Sequence, residues 1–131
     1  MKGIEKTSVK VENGPAAIGP YSLGVVAGSF VFTSGQLGLD PVSGSLVAGG
    51  VEAETRQALL NLKAILESAH SNLNSVVKTT VFLKDMADFS KMNSIYAEFF
   101  TESFPARSAI QVAALPKNAL VEIEAIAILN K

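Results

Sequence analysis

The sequence predicts an α+β fold, an open sheet with two helices on one face. Three observations point there. In residues 51–70, Leu59, Leu62, Leu66 and Ala69 recur at intervals of three and four, the period of a buried helix face. Residues 76–83 (VVKTTVFL) and 121–129 (VEIEAIAIL) are apolar, β-branched or alternating, as strands are. Between them a second helical stripe spans about 88–101, so the second half reads strand–helix–strand–strand.

In chain order, residues 4–11 alternate partially and predict a first strand. Gly-Pro at 14–15 and again at 19–20 marks an ordered, turn-rich loop over 12–22, with Tyr21 near its exit. Residues 23–34 read as two strands about a turn at Gly28–Ser29. Five glycines and a proline make 35–50 a loop, with a short hairpin around Pro41–Gly44. The first helix then carries Glu52 and Glu54 in its first turn, where carboxylates favour the helix dipole. The second helix shows Phe89, Met92, Ile95, Tyr96, Phe99 and Phe100 as its apolar side. Last come a strand within "FPARSAIQVAALP" (104–116), a turn at Pro116–Asn118 and the final strand. The order β-β-β-α-β-α-β-β leaves one sheet face uncovered and too apolar for water, and neighbouring subunits would cover it.

At 131 residues the chain is one domain, 1–131, with 48% hydrophobic and 18% charged residues, which excludes a disordered polar chain. A mean hydropathy of +0.32 is high for a lone small monomer and argues for oligomerisation. The formal charge of -1 and scattered lysines argue against a nucleic-acid or anionic-membrane surface. Without cysteine there is no thiol nucleophile or thiolate metal site. The single histidine, His70, at a helix end, disfavours a His-rich metal site or a Ser-His-Asp triad. With no long apolar stretch or Arg-rich leader, the expectation is an intracellular, cytoplasmic protein, a mitochondrial address being the alternative.

Two places could hold chemistry. On the last strand Glu122, Glu124, Ile126 and Ile128 share one side, and Val121, Ile123, Ala125, Ala127 and Leu129 the other. The glutamates are either a strand end meeting solvent or a pair available for acid/base work. Arg107 is one of two arginines, the other being Arg56. It is either a strand-start surface residue or a fork of donors for a carboxylate or phosphate. "SGQLGLDPVSG" matches no phosphate-loop pattern, which favours a small carboxylate.

Four strings, "GPAAIGPYS" (14–22), "FTSGQLGLDPVSG" (32–44), "VVKTTVFLKDMADFSKMNSIYAEFF" (76–100) and "FPARSAIQVAALPKNALVEIEAIA" (104–127), resemble the reactive intermediate deaminase A (RidA/YjgF) family over about residues 8–129. The resemblance implies a homotrimer of chorismate-mutase-like α+β fold, the other sheet face towards the trimer core, with sites in the clefts between subunits. It implies a 2-iminobutanoate/2-iminopropanoate deaminase, hydrolysing reactive enamines and imines to 2-oxo acids and ammonia without cofactor or metal. Such intermediates are released by pyridoxal-phosphate enzymes acting on serine or threonine. Carried onto this chain, Arg107 binds the substrate carboxylate, Glu122 activates water and Tyr21 closes the pocket. Ser34 and Gly35 offer backbone contacts and Asn93 lies at the rim. Ala109 stands where many members have a cysteine, read as pocket lining, so the departure bears on thiol-linked regulation rather than on hydrolysis.

Were the last two strands a hairpin about Pro116–Asn118, Arg107 would pair near Ile128. It would then lie about 20 Å from Glu122, so the expectation is a site that takes the two from different subunits. Two rival functions stand beside the deaminase. One is a translation inhibitor or endoribonuclease, as relatives have been described, disfavoured by the acidic pI near 5.8 and the lone histidine. The other is a non-catalytic trimer binding 2-oxo acids or acting like a chaperone, which would keep Arg107 without needing Glu122.

Overall fold

The computed structural model describes residues 5–130. Seven strands form one sheet: β1 (Lys6–Ser8), β2 (Gly24–Ala27), β3 (Phe30–Thr33), β4 (Gln36–Leu37), β5 (Val76–Leu83), β6 (Ala106–Gln111) and β7 (Val121–Ile128). The sheet order is β1-β2-β3-β7-β5-β6, with β4 also paired to β7. Two helices, α1 (Gly50–Ser68) and α2 (Phe89–Phe99), pack together against one face.

The alternation read in the last strand decides that layering. Val121, Ile123, Ala125 and Ala127 are buried under the helices, while Glu122, Glu124 and Ile126 are half-buried and Ile128 is exposed on the reverse. From α1, Leu59, Leu62, Ile65 and Leu66 are wholly enclosed, and Val31, Val81, Leu83 and Met92 complete the core. Gly24 lets β2 approach the helix, since a Cβ there would stand 3.1 Å from Ile65 Cγ2. The helix ends at Ala69, and the left-handed His70 (φ 62) lets the Ser71 N–H reach the Leu66 carbonyl at 2.8 Å. His70 therefore shapes the helix end at which the sequence placed it, and it is exposed there.

One expectation fails. The last two strands are not a hairpin: β6 pairs with β5 in parallel, Arg107 opposite Thr79, and β5 separates it from β7. The cause is α2, which carries the chain back to the starting end of β5, so the β5–α2–β6 unit must be parallel. The segment 112–120 then crosses over and inserts β7 on the other side of β5. The short β4 also lies inside the predicted 35–50 loop, and the expected small hairpin is present there as a Leu39–Leu46 bridge. The first predicted strand is reduced to Lys6–Ser8, and Ile4 lies outside the described residues.

The face away from the helices is uncovered within the chain. Phe30, Phe32 and Ile128 are each more than 40% exposed there, in register across β3 and β7. Leu62→Ala, which hollows the opposite, enclosed layer, is expected to cost about 2–5 kcal/mol, read as a lower denaturant midpoint at unchanged slope.

Candidate active site

The sheet builds two separate pockets. The first forms where β3 gives way to β4. Along β7, Ile126 pairs with Phe32 and Ile123 with Gln36, so the partner strand spends one residue more than β7 does. That surplus is a bulge, a device that re-aims residues beside functional sites. Thr33 Oγ1 accepts the Ala125 N–H at 3.0 Å in the interrupted ladder. Ser34 and Gly35 lie in the bulge. Ser34 N–H donates to the Leu23 carbonyl (2.8 Å) and its hydroxyl to the Ser22 carbonyl (2.6 Å), which ties down the exit of the 12–22 loop. Tyr21, one residue earlier, is left at the wall of a cleft of about 580 Å³ lined also by Ile18, Ser34, Gly35, Lys117 and Glu122.

Glu122 is the carboxylate of that cleft. Gly35 makes its place: a Cβ there would sit 2.7 Å from Glu122 Oε2. Burial raises its pKa above the ordinary carboxylate range, and the like charge of Glu124 on the same face adds to the rise. The start of β7 is anchored from behind, where the buried Glu54 accepts the Leu120 N–H at 2.9 Å. Glu54 thus serves as a strand anchor, beyond the helix-dipole role its sequence position suggested. Asn61, also buried, donates to the carbonyls of Leu37 (3.3 Å) and Leu39 (2.9 Å), fixing the opposite wall.

The second pocket lies between α2 and β6 and holds Arg107. Its NH1 donates to Asn93 Oδ1 at 2.7 Å, and its guanidinium carbon stands 4.7 Å from the Tyr96 ring centre and 5.4 Å from that of Phe89. Among the described residues the one ion pair is Arg56–Glu98 on the surface, so Arg107 has no carboxylate partner there. Phe104, 73% exposed, and Pro105 complete the rim. Ala109 follows two residues later on the same face, half-buried against the core and outside this pocket's lining.

The sequence-predicted residues therefore fall into two sets: Tyr21, Ser34, Gly35 and Glu122 in one, Arg107 and Asn93 in the other. The two sets also look opposite ways. Arg107 is level with Thr79, on the helix side of the sheet, whereas Glu122 is level with Phe82, on the uncovered side. The two are separated by about 10 Å along the strands and about 10 Å across them. Phe89 and Tyr96 were read only as core. Their spacing from Asn93, four before and three after, was the available signal that all three share a helix face with whatever Asn93 touches.

The chain is thus a small α+β protein with a half-buried carboxylate in one pocket and, in the other, an aromatic-walled arginine that has no carboxylate partner among the described residues. The family profile described as Endoribonuclease L-PSP matches residues 11–129, and the chain belongs to that family, the YjgF/RidA family. It is 55% identical over 122 residues to a RutC family protein of Pyrococcus horikoshii, covering 93% of this chain and 97% of that one. It is 53% identical over 128 residues to the 2-iminobutanoate/2-iminopropanoate deaminase of Mus musculus (98% and 95% covered). The crystal structure of E. coli TdcF with bound serine superposes with a TM-score of 0.89 at 42% identity, covering 95% of this chain and 99% of that one.

Glu124→Gln is expected to lower the Glu122 titration midpoint, followed by carboxyl carbon NMR, while leaving it above the ordinary range. Burial, the larger cause, persists in that variant.

Proposed function

We propose that this protein is a 2-imino acid deaminase whose sites form between subunits, Arg107 of one chain facing Glu122 of the next. The observation that carries the reading is that the cation and the carboxylate lie on opposite faces of one sheet, each incomplete alone. The apolar, uncovered face supports assembly of copies, for which a homotrimer is the proposed form. The deaminase name of the mouse relative supports the reaction, and the serine bound by TdcF supports a small substrate bearing a carboxylate.

In this mechanism Arg107 grips the substrate carboxylate through its free donors, which fixes the plane of the imine. Glu122, ionised, takes a proton from water as the water oxygen bonds to the iminium carbon. The resulting carbinolamine nitrogen receives that proton from Glu122, and the C–N bond breaks. The hydroxyl proton passes to the Glu122 carboxylate as the carbonyl forms and from there to the departing ammonia, which leaves as ammonium. The products are a 2-oxo acid and ammonium, balanced without an oxidant or reductant. Tyr21 walls the cleft, with Ser34 and Gly35 offering backbone contacts at its floor and Asn93 keeping Arg107 in line. A protonated imine is already electrophilic, so the residues need only orient and move protons.

A base must be ionised to work. With the Glu122 pKa raised, turnover should fall with decreasing pH above the range of an ordinary carboxylate, and Glu122→Gln should abolish that limb. The direct assay generates 2-iminopropanoate with an amino-acid oxidase in the presence of semicarbazide. Faster imine loss is expected with the wild type, none above buffer with Arg107→Ala, and roughly 10²-fold less with Glu122→Gln. Wild-type behaviour equal to buffer would sink the assignment. Mixing and reassembling equal amounts of the two impaired variants should restore about a quarter of the sites, since a heterologous ring then pairs an intact Arg107 with an intact Glu122. No restoration in mixed assemblies would refute sharing between subunits.

A further inference from the structure

Tyr96 is a buried titratable group for which the proposed reaction has no use. It is 7% exposed, and its hydroxyl shares a 2.8 Å hydrogen bond with Thr79 Oγ1, itself wholly buried. Thr79 is the residue that pairs with Arg107 across β5 and β6. The three residues close a circuit: strand pairing joins Arg107 to Thr79, a hydrogen bond joins Thr79 to Tyr96, and the Tyr96 ring faces the Arg107 guanidinium at 4.7 Å. Phe100, with its ring centre 4.6 Å from that of Tyr96, packs against the tyrosine.

We propose that Tyr96, braced by Thr79, is a positioning residue that sets the plane in which the Arg107 fork meets a carboxylate. An arginine on an edge strand with no carboxylate partner among the described residues carries much rotamer freedom, and a ligand would have to quench it on binding. An aromatic face removes that freedom without occupying donors, which an acidic partner would consume. The guanidinium gives one nitrogen to Asn93 and keeps the rest of its fork available. The Tyr96 hydroxyl has its pKa raised, chiefly by burial, and remains a neutral phenol at physiological pH, so the ring offers its face and no competing charge. The hydroxyl's role is to keep the ring from turning.

The proposal rests on Arg107 as the carboxylate clamp, so its test has one readout that needs no imine. With two arginines in the chain, ¹⁵N-arginine labelling resolves the Arg107 side chain, and Arg56 serves as reference. In the assembled protein, Tyr96→Leu should speed rotation of the Arg107 guanidinium by roughly tenfold and leave Arg56 unchanged. Tyr96→Phe and Thr79→Val, which keep the ring but break the brace, should each give a smaller increase of similar size. These two also carry the test if Tyr96→Leu does not fold. In the imine assay the folded variants should raise KM, by roughly tenfold for Tyr96→Leu, with any fall in kcat smaller than the rise in KM. Wild-type rotation of Arg107 in every folded variant, or a loss confined to kcat, overturns the proposal. A wild type that turns over no imine overturns the deaminase reading alone, because the rotation rates still decide the brace.

Discussion

Successive residues of a strand face opposite ways, and in this sheet that alternation governs both the core and the chemistry. On β7 it sends Val121, Ile123, Ala125 and Ala127 beneath the helices and turns Glu122 outward. On β6 it turns Arg107 inward, against α2. With β5 between them, no rotamer change lets the two side chains of one chain share a small ligand. The covered face holds the molecule together, while the uncovered one carries Glu122 as well as the exposed Phe30, Phe32 and Ile128.

Each half of the site is costly to keep by itself. A carboxylate drawn out of bulk water loses hydration, which the upward pKa of Glu122 records. An arginine without a counter-ion gives up the Coulomb term that usually compensates its partial burial. The fold offsets these costs locally. Aromatic rings and Asn93 partner the guanidinium, and the cleft stays open enough to hydrate Glu122. What these supports do not provide, among the described residues, is neutralisation of either charge.

Much of the architecture was legible because it is periodic. The leucine spacing in α1, the alternation in β7 and the glycine turn at Gly28 each express a local rule, and each element appears where that rule puts it. Pairing partners are set by distant residues. Pro116–Asn118 reads as a hairpin turn, and Lys117 and Asn118 do adopt left-handed backbone there, yet the strands on either side are not neighbours. The strand–helix–strand order already contained the stronger constraint, since a helical return makes β6 parallel to β5 and leaves the other edge of β5 for β7. For the site, charges inside apolar strands made Arg107 and Glu122 candidates with surface readings still open, and the family resemblance supplied their roles. Tyr96, Glu54 and Asn61 were hidden by sitting in regular helices, where a core-facing or polar residue looks ordinary until its contacts are known.

Gly35 shows why such a site resists reading from charged residues alone. Its contribution is an absence, the missing Cβ that leaves room for the Glu122 carboxyl. The bulge that delivers it needs a surplus residue between β3 and β4, and that surplus depends on β7 serving as common partner to both. Thr33 must then take up the Ala125 N–H, and Ser34 must bind back to Ser22 and Leu23, or the bulge would leave buried backbone groups unpaired. The carboxylate's position is therefore specified by the backbone course through Thr33, Ser34 and Gly35. Its chemistry follows from the sheet register before it follows from the identity of the glutamate.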